Sequence, residues 1–169
     1  MHVNVKKIIE TSRKISLFKS IGGYMIIKKT HIGSYGVILN KDKILLVKKA
    51  YGGYKGLLDL PGGGIEHEET PEDALKREIM EEVGVEVTYY KLLDIKSVNI
   101  KWQMDDKRVE DLHHLGILYK TNIKEGKIKD TPDGLDSLGA SWYSIKDLKK
   151  EDLTPFTIYS LEILGLFNK

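Results

Sequence analysis

"LPGGGIEHEETPEDALKREIMEEVGVEV", residues 60–87, sets nine carboxylates between Glu66 and Glu86 against two cationic side chains, Lys76 and Arg77. The punctuation is that of one helix entered from a glycine-rich segment. Thr70 is a good N-cap and Pro71 suits the first helical position. Glu72 and Asp73 lie at the positive end of the helix dipole, and Gly84 supplies a stop. The spacing predicts a helix over Thr70–Val83. At about 100° per residue with Glu78 as origin, Leu75, Ile79 and Val83 project near 60°, 100° and 140°, a stripe for a core. Glu78, Glu81 and Glu82 project near 0°, 300° and 40°, so three carboxylates share an arc of about 100° beside that stripe.

Like charges three and four residues apart destabilise a helix, so something should compensate. Carboxylate oxygens are the ligands that Mg²⁺, Mn²⁺ and Ca²⁺ prefer. A solvated acidic helix face is the competing reading of the charge run alone. Gly62, Gly63 and Gly64 let backbone groups approach a ligand closely, although a tight turn explains them equally well.

Working outward, 169 residues suit one domain with a real core. Apolar residues make up 41% and charged residues 31% with both signs mixed, which reads as a globular chain rather than disorder. A formal charge of +2 gives no reason to expect stable nucleic-acid binding. The chain has no cysteine, which removes disulfides, thiol nucleophiles and thiolate metal sites. No apolar run approaches a membrane span and no secretory h-region is visible, so no membrane association is expected and a cytoplasmic location is the default.

Strands are expected near Gly23–Lys29, Ser34–Asn40, Lys43–Lys49, Leu57–Leu60, Val85–Val98, His113–Thr121 and Ala140–Tyr143, with residues 40–43 as a hairpin turn. A second helix is expected around Thr154–Phe167. The result is an α+β arrangement, a mixed sheet with helices packed against it. Residues 1–22 read as an N-terminal extension to a domain over 23–169.

The combined spacing carries more than any one feature. Gly63, Glu69, Arg77, Glu78, Ile79, Glu81, Glu82, Gly84 and Val85 fit G-x5-E-x7-R-E-U-x-E-E-x-G-U, where U is aliphatic. The chain thereby resembles the Nudix hydrolase family, whose box this is. The resemblance implies an α/β/α sandwich around a central mixed sheet. It also implies hydrolysis of a nucleoside diphosphate linked to another moiety, with a divalent metal, Mg²⁺ first and Mn²⁺ as an alternative.

Carried over residue by residue, Glu78, Glu81 and Glu82 match the family's metal-binding carboxylates, and Gly63 matches a position whose backbone carbonyl often approaches the metal. Arg77 matches the arginine that orients box glutamates, for which a planar guanidinium is suited. Glu69 matches a glutamate that is more often structural, and Glu66 has weak claims. Glu78 is the first choice as general base, with Glu82 also in the catalytic set. The polar segment "QMDDKRVEDLHH" is expected to form a loop that shapes the pocket and offers Asp105, Asp106, Glu110 and Asp111 as later carboxylates.

Substrate contacts are assigned to Gly62, Gly63, Gly64, Trp102 and Glu110. Tyr54 and Tyr143 could also stack a base, although each more often packs in a core. His113 and His114 should point to opposite faces of a strand and so not form one metal site. The proline expected of ADP-ribose hydrolases and the tyrosine of diadenosine polyphosphate hydrolases are not met. A nucleoside triphosphate or related small nucleotide is left by elimination. ADP-ribose or sugar-nucleotide hydrolysis, or a non-catalytic nucleotide-sensing module, are the alternatives, and a homodimer is left open.

Overall fold

In "KILLVKK", residues 43–49, Ile44 and Leu46 point one way and Leu45 and Val47 the other, and all four are fully buried. A strand buried on both faces needs a covering layer on each side. The computed structural model describes residues 25–132 and 137–167, so the expected extension over residues 1–22 lies outside the described residues.

The elements run β1 (Met25–Asn40), β2 (Lys43–Lys49), a 3₁₀ turn at Gly52–Tyr54, β3 (Leu58–Asp59), β4 (Gly62–Gly64) and α1 (Pro71–Val83). They continue through β5 (Val87–Gln103), β6 (Arg108–Ile123), β7 (Ser137–Ser144) and α2 (Pro155–Ile163). The strand order is β3-β2-β1-β6-β5, with β4 also paired to β1 and β7 to β2. Only β1 and β6 pair in parallel among these strands, which makes the sheet mixed.

Each helix covers one face. Leu75, Ile79 and Val83 of α1 pack with Ile38, Leu45, Val47 and Tyr119. Phe156 and Leu161 of α2 pack with Tyr35, Val37, Ile44, Leu46 and Leu118. This is the expected α/β/α sandwich. Both helices start as their sequences dictate, with Thr70 and Thr154 as N-caps whose hydroxyls accept from Asp73 N–H and Thr157 N–H. Gly84, at φ 80°, closes α1 in the left-handed region that a glycine enters freely.

Four expectations are corrected. The strands expected at Gly23–Lys29 and Ser34–Asn40 are one strand, because the ladder to β6 runs unbroken from Met25↔Arg108 to Ile38↔Thr121. Gly33 does not break it. A Cβ there would stand 2.7 Å from the Gly63 carbonyl and 2.5 Å from the Tyr35 hydroxyl, so the glycine serves close packing.

The expected 103–114 loop shrinks to the tip of a long β5–β6 hairpin, placing Glu110 and Asp111 inside β6. Gly62–Gly64 is a strand on β1 rather than a turn, in register Gly33↔Gly64, Ser34↔Gly63 and Tyr35↔Gly62. The last helix stops at Ile163, short of Phe167, and Gly165 follows at φ 68°.

Candidate active site

Arg77 is the hub of the box. Its Nε and Nη2 donate to the two oxygens of Glu69 at 2.8 and 2.9 Å, a bidentate pair. Nη1 donates to Glu78 Oε1 at 2.7 Å, and Nη2 also reaches the Gly64 carbonyl at 2.9 Å. The helix-surface pair to Glu81, at 3.5 Å, is the longest of the set. Hydrogen bonds from Arg77, then the Glu66 N–H, hold the Glu69 carboxyl down at about 2, and the bonds to Glu69 and then Glu78 push the Arg77 guanidinium up. Arg77 thus bridges Glu69, which it grips at two points, and Glu78.

The helical arc resolves into three environments. Glu81 is exposed, Glu78 is half-buried and Glu82 is buried, as expected for the carboxylate nearest the apolar stripe. Glu82 Oε2 accepts the Gly62 N–H at 2.9 Å, and Lys49 Nζ lies 3.9 Å from Glu82 Oε1. Hydrogen bonding and a nearby cation are what a buried carboxylate requires.

The glycine strand divides its backbone between two neighbours. Gly36 N–H donates to the Pro61 carbonyl and Ile65 N–H to the Ile32 carbonyl, which fixes the odd-numbered residues of this strand as facing β1. Gly62 N–H and the Gly64 carbonyl face α1 instead, meeting Glu82 and Arg77. The Gly63 carbonyl, expected to face a metal, is directed at β1, and the backbone groups toward the box are those of Gly62 and Gly64. Gly63 is required for a different reason, since a Cβ there would fall 2.5 Å from the Glu78 carboxyl group.

These residues open onto a cleft of about 440 Å³ that Gly62, Gly63, Gly64, Glu66, Arg77, Glu78 and Glu81 line at one end. Tyr54, His31 and His114 line it further along, and Lys29, Leu112 and Glu110 lie beyond them. His114 is 4% exposed, with Nε2 2.7 Å from the Tyr35 hydroxyl and Nδ1 3.4 Å from that of Tyr54. Its ring packs on Phe156 and His31. Burial first, then His31, Lys49 and Lys29, lowers its pKa to about 3, so the imidazole is neutral. Burial likewise raises the Tyr35 and Tyr54 hydroxyls.

Other candidates fall elsewhere. His113 is exposed on the opposite face, bonded to Ser97 Oγ at 2.7 Å. Asp111 pairs with Lys101 and Asp105 with Arg108. Tyr143 packs against the α2-side core. Trp102, expected to contact substrate, is half-buried beside Gly53 of the 52–54 turn and donates its indole N–H to Glu110. A second cleft, about 520 Å³, is lined by Trp142 and residues 122–126 and includes no box residue. Sequence reasoning missed Tyr35, His31, Lys29, Lys49 and Asp59 of the catalytic cleft, since only cross-strand register brings them there.

Among the described residues, no three His, Cys, Asp or Glu side chains already converge as a cation cage. Glu78 is turned to Arg77 and Glu82 to Gly62. The available donors are nonetheless all oxygen, and the glycine strand leaves no side chain between them, so the set fits a hard divalent cation. No helix among the described residues is long and apolar enough to cross a membrane.

A model of the NUDIX domain matches residues 29–162. An ADP-ribose pyrophosphatase of Methanocaldococcus jannaschii is 30% identical over 139 residues, 82% of this chain and 76% of its own. An 8-oxo-dGTP diphosphatase of Escherichia coli is 28% identical over 130 residues, 76% of this chain and 90% of its own. A longer Caenorhabditis elegans relative, 33% identical over 107 residues (63% of this chain), is matched over only 26% of its length. Among solved structures, a MutT NUDIX hydrolase from Burkholderia pseudomallei superposes with TM-score 0.63 at 26% identity, covering 79% of this chain and 97% of that one.

Proposed function

This chain belongs to the Nudix hydrolase family, and from that premise we propose that it hydrolyses a pyrophosphate linkage in a nucleoside triphosphate or related nucleotide. The observation that carries the reading is the intact box opening onto the cleft: Glu78 fixed by Arg77, Glu82 fixed by Gly62 N–H, and Glu81 at the rim. Family members generally use a divalent cation, and here Mg²⁺, with Mn²⁺ as substitute, would be held by Glu78, Glu81 and Glu82. When bound, the cation neutralises diphosphate oxygens and activates water.

The chain's own residues do the rest. Gly62–Gly64 lets a diphosphate lie close to backbone, with no side chain in the way. Arg77 holds Glu78 in a single orientation, and Glu78 accepts the proton of the attacking water. The water oxygen bonds to one phosphorus, the bridging P–O bond breaks, and the leaving phosphate takes that electron pair. Lys49 stands beside Glu82 and lines the cleft, where its charge favours an anionic substrate.

ADP-ribose is the second reading, favoured by the relative named for that activity, which matches 82% of this chain. A sugar nucleotide stays within that second reading. A sensing module without catalysis is disfavoured by the complete set of box carboxylates. A hydrolysis screen over nucleoside triphosphates, oxidised nucleotides, ADP-ribose and sugar nucleotides tests the proposal. A nucleoside monophosphate product, lost with EDTA, is expected. Equal turnover without metal, or a preference for simple phosphomonoesters, overturns it.

A further inference from the structure

The end of the cleft away from the box is walled by a carboxylate whose direction is set twice. Glu110 and Trp102 are directly opposed on β6 and β5, so both leave the sheet on the same face. Trp102 Nε1–H donates to Glu110 Oε1 at 3.0 Å. The indole is itself pinned, since a Cβ on Gly53 would stand 2.9 Å from Trp102 Cδ1 and 2.6 Å from Ile100 Cδ1. The turn therefore packs against both side chains, and the half-buried Trp102 acts as spacer and donor.

A carboxylate presents about four acceptor positions, and the indole uses one. Among the described residues no Lys or Arg forms an ion pair with Glu110, although it lines the cleft beside Leu112 and Lys29. Its row on β1 is Ile27, seven positions from Ser34, the row of Gly63, so Glu110 faces the part of a ligand remote from the box.

We propose that Glu110 is a specificity-determining residue that accepts two adjacent hydrogen-bond donors from the nucleoside end of the substrate, with Trp102 as its positioning residue. The inference rests on the reading that a nucleotide occupies this cleft. Two sources offer that chemistry: the N1–H and 2-amino group of a guanine edge, and the cis-diol of a ribose. A site built around an oriented, half-buried acceptor rejects analogues that lack the donor more strongly than a merely apolar wall does.

The test compares kcat and KM for GTP, ITP and dGTP in the wild-type protein, Glu110→Gln and Trp102→Phe, alongside equilibrium binding of GMP, IMP and dGMP. ITP lacks the 2-amino group and dGTP the 2′-hydroxyl. The wild-type protein should prefer GTP by about tenfold or more in one of the two pairs, which identifies the source. Glu110→Gln should bring that ratio to within about twofold through KM, and Trp102→Phe should move the same ratio part of the way.

If no triphosphate is hydrolysed but the monophosphates reproduce the ratio and its collapse, the triphosphate reading fails and this one stands. An unchanged ratio in Glu110→Gln overturns the proposal, as does no discrimination in the wild-type protein or no binding of any monophosphate. An equal fall in kcat for all three substrates also overturns it, because Glu110 would then act at the reacting phosphorus.

Discussion

Two polar hubs border the same cleft and solve opposite problems. Arg77 is charged and half-exposed, and gathers Glu69, Glu78 and the Gly64 carbonyl through charge-assisted bonds. His114 is neutral and buried, and ties Tyr35 of β1 to Tyr54 of the 52–54 turn amid aromatic rings. The first can hold several carboxylates because solvent and a permanent cation moderate their repulsion. The second lies where any charge would be expensive, so it orders its neighbours by shape and neutral hydrogen bonds. The reactive end of the cleft is thus governed by electrostatics and its middle by packing.

The largest effect should come at the charged end. Glu82→Gln keeps an acceptor for Gly62 N–H but removes a charge, so turnover should fall by about three orders of magnitude while the thermal midpoint changes little. Steady-state rates with Mg²⁺ and melting without it separate the two halves. A variant with near-wild-type turnover would break the comparison at its root.

The neutral hub should reveal itself through pH. Because the folded-state pKa of His114 is depressed to about 3, its contribution is fully present above the unfolded value near 6.5 and is lost as pH falls from there toward 3. The loss is at most about 5 kcal/mol. Urea midpoints at pH 7 and pH 5 should differ in the wild-type protein and converge in His114→Gln. Glu69 loses its contribution in a lower window: it is fully present above its ordinary value near 4.5 and is lost as pH falls from there toward about 2.

Arg77→Lys sharpens the contrast at a smaller scale. A lysine keeps the charge but cannot grip Glu69 with two parallel bonds while also holding Glu78, and a loss of about 10–100-fold in kcat is expected with a modest change in stability. A purely structural Arg77 would instead lower the melting temperature and spare kcat. The smallest effect is set by Gly53→Ala, whose methyl group meets Ile100 and Trp102. It should cost about 1–3 kcal/mol and raise KM without affecting kcat. Urea denaturation and a KM–kcat split check it.

The charged hub was largely legible in the sequence because its parts lie within one helix and the turn before it. Fixed spacing, caps and an arc of carboxylates are local properties, and α1 begins and ends where they say. The neutral hub was not legible. His31, Tyr35, Tyr54 and His114 come together through the parallel register of β1 with β6 and a turn laid across it, which no local pattern encodes. The same cause explains why three glycines read as a turn and became a strand. It also explains why Trp102 read as a stacking surface, although Gly53, forty-nine positions earlier, packs closely against its ring.

The parallel ladder between β1 and β6 has a consequence during synthesis. Its partners, from Met25↔Arg108 to Ile38↔Thr121, are eighty-three positions apart, so the central pairing cannot form until most of the chain has left the ribosome. The box helix emerges long before, with Leu75, Ile79 and Val83 still lacking half of the surface they pack against. Nascent chains arrested before residue 108 should therefore be sensitive to proteolysis across the box, and those arrested well beyond residue 123 should resist.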